Sequence, residues 1–143
     1  KTFPEENIKN DILAVEEKWF NENGGNENPD LQSEYSIIEN AVHNAEALNI
    51  TGDDLYINGE PSAMCLASPV SGETLDVLFE KSVSETAENG SYAVINKMFA
   101  AHCSAYKYLN REEDLGIEGL RKAKLSYKPE IILDKYFGSL VRK

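Results

Sequence analysis

Three short runs of strand character between Leu55 and Glu80, then a helix-period run, then one more strand-type run, restrict the fold more than any other feature. The runs are Leu55–Asn58, Ala63–Ala67 and Thr74–Glu80. Gly59-Glu60-Pro61 reads as a tight connection between the first two, and Ser71-Gly72 precedes the third. Successive strands joined this closely pair antiparallel. A helix is predicted over Ser91–His102, with Val94, Ile95, Met98, Phe99 and Ala101 on its apolar side. It leads to a strand at Ala105–Asn110. A strand–helix–strand passage demands a crossover between parallel strands, so Thr74–Glu80 and Ala105–Asn110 are expected as neighbours. The predicted class is therefore α/β (α+β): a mixed sheet, antiparallel strands followed by a parallel β-α-β crossover, with helices on both faces.

Two helices precede the strands. Pro4–Phe20 carries Ile8, Ile12, Val15 and Trp19 on one stripe, and Glu5 and Glu6 suit the positive first turn. Asn21–Asp30, polar and broken by a glycine pair and a proline, reads as a loop. Asp30 is placed to cap a second helix with the stripe Leu31, Tyr35, Ile38, Val42, Ala45, Leu48. Ser82–Gly90 reads as a polar loop. A helix at Ile117–Tyr127 and an extended segment Glu130–Phe137 complete the order.

Charge is distributed unevenly. Residues 1–60 hold 14 acids against 3 lysines, whereas residues 61–143 hold 11 of each sign. The acidic half argues against general nucleic-acid binding, because phosphate affinity depends on cationic surface. Arg121, Lys122, Lys124 and Lys128 form a basic stretch that either meets a local polyanion or is a solvated helix face. Cys65 and Cys103 sit in apolar segments and read as reduced, structural thiols, which suggests a cytoplasmic protein. His43 has no companion at metal-ligand spacing, so no metal site is expected. No apolar stretch approaches the roughly eighteen residues of a membrane span. No basic-then-apolar leader opens the sequence. The 143 residues suit one domain.

The chemistry concentrates at two places. The apolar run Ala105–Leu109 delivers five polar or charged residues, Asn110 to Asp114, to the end of a strand. Unpaired charge is costly to bury, so this cluster suits the rim of a crevice at the carboxyl end of a sheet. Glu88-Asn89-Gly90-Ser91-Tyr92 opens a helix, where free N–H groups attract anions such as a pyrophosphate. The competing reading is an ordinary loop capped by Ser91 or Asn89.

From Phe79 to Tyr136 the chain resembles the C-terminal domain family of phosphatidylglycerol lysyltransferase-like proteins. The likeness rests on Phe79-Glu80-Lys81, Gly90-Ser91-Tyr92, Ile95-Asn96 and Phe99-Ala100. It continues through Tyr108-Leu109-Asn110-Arg111-Glu112-Glu113-Asp114-Leu115-Gly116, Gly119-Leu120-Arg121-Lys122-Ala123-Lys124, Ser126-Tyr127 and Pro129. That family is related to the GNAT-type acyl-CoA N-acyltransferases. The resemblance implies a single GNAT-like domain over residues 1–143, forming the C-terminal half of a two-domain protein, with the preceding GNAT-like domain as partner.

The resemblance also implies roles. Coenzyme A or acyl-CoA is the expected cosubstrate and a small-molecule amine the acceptor. Ser84, Asn89, Gly90, Ser91 and Tyr92 would hold the coenzyme's pyrophosphate, although the usual Gln/Arg-x-x-Gly-x-Gly/Ala run is missing and only Gly90 is offered. Tyr127 would protonate a departing thiolate; otherwise it is a core aromatic at a helix end. Glu80 would take a proton from the amine, or else form a surface ion pair with Lys81. Asn96, Asn110, Arg111, Glu112 and Asp114 would line the acceptor side, an arginine fork suiting a carboxylate or phosphate. The alternative for Arg111 is an internal pair with Glu112 or Asp114. Two functions follow: transfer of an acyl or aminoacyl group from a CoA thioester or aminoacyl-tRNA to an amine, or a non-catalytic GNAT-shaped ligand-binding or dimerisation module.

Overall fold

The computed structural model describes residues 7–140. The chain divides into two compact units, one ending at Glu112 and one starting at Glu113. In the first unit α1 (Ile8–Glu22) and α2 (Pro29–His43) precede β1 (Thr51–Ile57), β2 (Glu60–Pro69) and β3 (Thr74–Ser82). The short α3 (Ser84–Ala87), then α4 (Ser91–His102) and β4 (Tyr108–Asn110) follow. The second unit holds α5 (Glu118–Ser126). The expected start of the first helix, with Pro4, Glu5 and Glu6, lies outside the described residues.

The sheet has the strand order β1-β2-β3-β4. Its first three strands are antiparallel and β3 pairs parallel with β4. β2 is the central strand and is apolar on both faces, as full burial requires. Met64 and Leu66 join Ile8, Ile12, Val15, Ile38 and Val42 of α1 and α2 on one side. Ala63, Cys65 and Ala67 join Leu55, Leu75, Val77, Ile95 and Phe99 on the other. Ile95 and Phe99, four residues apart, form the buried face of α4, while Val94, Met98 and Ala101 are exposed. The expected apolar side of that helix is thus narrower than its sequence suggests.

Local chemistry explains the remaining boundaries. Asn28, not Asp30, caps α2: its Oδ1 accepts the N–H groups of Asp30 (3.0 Å) and Leu31 (3.4 Å), and Pro29 takes the first helical turn. Gly25 lies under the Phe20 ring, where an added Cβ would sit 2.2 Å from a ring carbon. The hairpin between β1 and β2 turns on Asn58 (φ 54°) and Gly59 (φ 87°), so the tight connection starts one residue earlier than expected. Asn-Gly suits a turn with two left-handed residues. β4 begins at Tyr108, because the N–H groups of Lys107 and Tyr108 both donate to the Glu73 carbonyl at 2.9 and 3.0 Å and hold the preceding residues in a turn. The strand expected at Glu130–Phe137 does not form; an apolar pattern makes a strand only where a ladder partner accepts it.

Adjacent residues Glu80 and Lys81 point to opposite faces of the sheet, so the expected surface pair between them is absent. Lys81 is buried on the α1–α2 side, with its Nζ 2.9 Å from Glu16 Oε1, 2.6 Å from Glu34 Oε1 and 3.8 Å from the Trp19 ring centroid. Glu16 is fully buried, and burial pushes its carboxyl up despite the opposing pull of Lys81. Protonation of Glu16 therefore favours the fold: that contribution is complete below the unfolded value and is lost as pH rises through the folded one.

Removing Lys81 strands the Glu16 charge. Lys81→Ala should cost about 3–5 kcal/mol in urea denaturation at pH 8, and the deficit should shrink near pH 5 as Glu16 takes up a proton. A double variant, Lys81→Met with Glu16→Leu, should recover most of the loss. A deficit independent of pH would contradict this account.

Candidate functional site

The site begins where β3 and β4 part. Their parallel ladder comprises Thr74–Tyr108, Leu75–Leu109 and Asp76–Asn110, and stops there. β3 runs six residues further, to Ser82. At about 3.3 Å per residue this carries Glu80 roughly 13 Å beyond the last pair. Asn110 closes the ladder: its Nδ2 donates to Asp76 Oδ1 at 2.7 Å and its Oδ1 accepts the Glu112 N–H at 3.2 Å.

Arg111 bridges the opening. Its Nη2 reaches both oxygens of Glu80, at 2.8 and 2.9 Å, and Asn96 Nδ2 of α4 donates to Glu80 Oε2 at 2.9 Å. Glu80 is only 10% exposed and Arg111 23% in their side chains, so solvent screens this pair weakly. Arg111 thus reaches a carboxylate 31 residues away in sequence, a partner that spacing alone did not suggest. Its partner came from β3, where register alone decides which residue faces α4.

That register builds a row nobody reads from spacing. Cys65 of β2 lies opposite Glu80 on one side and Asp53 of β1 on the other. Asp53 is buried and pairs with His102 Nδ1 at the end of α4. Burial, reinforced by Glu80 and Asp53, pushes the Cys65 thiol well up; burial and Asp53 raise Cys103 to about 11. Both cysteines are free thiols. Asp53 and His102 had no local signal, since a buried aspartate in a strand start looks like a turn residue.

At the carboxyl end of β3 the loop to α4 is internally bonded. Ser91 is buried against Ser82 Oγ, and Asn89 Nδ2 donates to the Glu85 carbonyl at 3.1 Å. Tyr92 is half-buried, and burial raises its phenol against the opposing pull of the Ser82 backbone and the Trp19 side chain. The Ser84 N–H donates to Glu22 Oε2 of α1 at 2.8 Å. Gly90 adopts φ 86° before the first turn of α4, with open space beside it. Glu112 is exposed on the first unit with φ 51°.

Asp114 and Tyr127 belong to the second unit. Asp114 accepts from Arg121 and from the Gly116 N–H at 2.9 Å, and the Arg121 contact holds its carboxyl below the usual range. Tyr127 follows the last turn of α5 and is 39% exposed. Among the described residues no cluster of three or more His, Cys, Asp or Glu is arranged for a metal ion, and no helix is long and apolar enough to cross a membrane.

Residues 2–137 match the family "Phosphatidylglycerol lysyltransferase, C-terminal". A conserved protein of unknown function from Bacteroides thetaiotaomicron VPI-5482 is 41% identical with a TM-score of 0.80, over 92% of this chain and 44% of that one. This chain therefore spans less than half the length of that relative. A possible acetyltransferase from Clostridium difficile 630 shares the fold at 9% identity and a TM-score of 0.63, over 99% and 98% of the two chains. AAC(6')-Iy, solved in complex with the bisubstrate analog CoA-S-monomethyl-acetylneamine, shares it at 7% identity and a TM-score of 0.51, over 71% and 78%. No curated protein matches the sequence. The fold is thus GNAT-like.

The bridge itself is measurable. Arg111→Ala and Glu80→Gln, combined in a double-mutant cycle by urea denaturation, should give a coupling energy of about 1–2 kcal/mol. Asn110→Ala, at an exposed tie, should cost no more than about 1 kcal/mol. A coupling near zero would show that Arg111 and Glu80 do not hold each other in solution.

Proposed function

The chain belongs to the phosphatidylglycerol lysyltransferase C-terminal family, and from that premise we propose that it is a GNAT-like transferase domain moving an acyl or aminoacyl group from an activated ester or thioester to an amine. The observation that carries this reading is Glu80: a carboxylate on β3 past the end of the β4 ladder, oriented by Asn96 and Arg111. An amine attacks only once it has lost, or is losing, a proton. A fixed carboxylate within hydrogen-bond reach can accept that proton, directly or through one water. The Arg111 guanidinium balances the charge of Glu80 in the resting state and fixes its rotamer, so little reorganisation is needed on attack.

In this reading Asn96, Asn110 and Arg111 position the acceptor side, with Glu112 at its exposed margin. Asp114 orders the turn into α5 through Arg121, and Tyr127 is the proton donor to the departing oxygen or sulfur. The partners are a small-molecule amine and a further domain of a longer polypeptide, and the protein works in the cytoplasm. Coenzyme A enters through the fold, since AAC(6')-Iy carries a CoA analog. The loop before α4 does not suit its pyrophosphate, because Glu22 already takes the Ser84 N–H and no cation lies in residues 83–92.

A second reading has one observation in its favour. Both oxygens of Glu80 are engaged inside the domain, as they would be in a GNAT-shaped binding or dimerisation module with no chemistry.

Activity separates the two. With the longer protein and a panel of acyl and aminoacyl donors, Glu80→Gln should lower amine acylation about 10²–10⁴-fold while the melting temperature stays within a few degrees. Tyr127→Phe should slow release of the leaving group. Unchanged turnover in Glu80→Gln would remove Glu80 as the base, and no turnover in the wild type with any donor would favour the module.

A further inference from the structure

We infer that residues 131–137 are a docking strand, which adds to an open sheet edge in the part of the longer polypeptide outside residues 1–143. The inference takes from the proposed function only its second partner, a further domain of that polypeptide, and none of its chemistry. The segment reads Ile131-Ile132-Leu133-Asp134-Lys135-Tyr136-Phe137. Its apolar side chains are exposed, from 53% at Ile131 to 91% at Phe137. No described residue from Glu113 onward is buried, and 131–140 takes no regular secondary structure. Single apolar residues are ordinary on a surface, whereas a contiguous apolar stretch marks an interaction site.

The pattern fixes the mode of docking. Side chains alternate between faces along a strand, which would group Ile131, Leu133 and Phe137 with Lys135, and Ile132 and Tyr136 with Asp134. A strand that is apolar on both faces belongs inside a covered sheet, not on the outside of one. β3 supplies the comparison within the same chain. Val77-Leu78-Phe79-Glu80-Lys81 and Ile131-Ile132-Leu133-Asp134-Lys135 share one order: three apolar residues, an acid, a lysine. In β3 each of those residues is buried or half-buried, and the acid and the lysine find partners in opposite layers. In residues 131–135 the same order is exposed throughout, and Lys135 meets only the exposed Glu113 among the printed ion pairs, at 2.8 Å.

The length of the polypeptide names the occupant. This chain covers 44% of the 41%-identical Bacteroides relative, so more than half of that relative lies outside the matched part. A tethered domain meets its docking strand at a high effective concentration. An open sheet edge presents unpaired N–H and C=O groups, and an extended segment satisfies them. A second copy of this chain is a poorer host. The outer strands of its sheet are β4, three residues long, and β1, which carries Asp53 and Asp54. Neither matches a run that is apolar on both faces.

Hydrogen exchange followed by mass spectrometry tests this on two proteins, the chain of 143 residues and the longer polypeptide. Amides of residues 131–137 should exchange freely in the first and be slowed at least about 100-fold in the second. Protection in the 143-residue chain as a monomer would put the ladder within it. Protection that rises with its concentration, with dimers in light scattering, would make a second copy the host. Either result overturns the inference, as does free exchange of the segment in both proteins. Ile132→Asp and Leu133→Asp, on opposite faces, should each abolish the protection in the longer polypeptide while the middle of β2 stays protected. Loss with only one of them, or with neither, would overturn insertion into a covered sheet. The wild-type comparison decides the partner whether or not a variant folds. None of these readouts involves turnover, so this inference and the transferase proposal fail separately.

Discussion

The period-two alternation of β3 is the constraint on which the rest depends. It turns two oppositely charged neighbours, Glu80 and Lys81, to opposite sides of one sheet and buries both. Each charge then has to find a partner from the layer it meets, because an unpaired buried charge is costly. Lys81 finds Glu16 and Glu34 from the two leading helices, and Glu80 finds Asn96 and Arg111 from the crossover. The same strand therefore fastens both helical layers and presents the candidate base. Packing and chemistry share one element, although the family match itself spans residues 2–137 and not only the part from Phe79 onward.

Much of the fold was legible, and the reason differs by element. Helix α4 was read with its observed bounds, since Gly90 precedes it and the 3.6-residue pattern runs unbroken. The parallel crossover followed from element order alone. The start of β1 was missed because Gly52-Asp53-Asp54 has little strand propensity; Asp53 is tolerated there through His102, a partner 49 residues away. The tail at Glu130–Phe137 erred in the other direction, where an apolar pattern promised a strand that no neighbour supports.

The candidate site was legible as a list of residues but not as an arrangement. Glu80, Asn96 and Arg111 were each singled out, yet their common contact depends on a register and a side-chain reach that sequence does not encode locally. Spacing suggested Lys81 for Glu80; the sheet turns Lys81 to the other face and brings Arg111 to Glu80 instead. Ser82–Gly90 was read as a loop, whereas Ser84–Ala87 forms a short helix within it, and the approach of Glu22 from α1 to the Ser84 N–H depends on tertiary packing.

The unequal lengths of β2 and β4 set a gradient of cooperativity through the sheet. The middle of β2 is hydrogen-bonded on both edges and shielded above and below, so its amides should exchange with solvent only when the whole unit melts. β4 contributes three residues at the margin and can fray alone. Fraying there would loosen Asn110 and, through the next residue, the hold of Arg111 on Glu80, while the scaffold beneath stays intact.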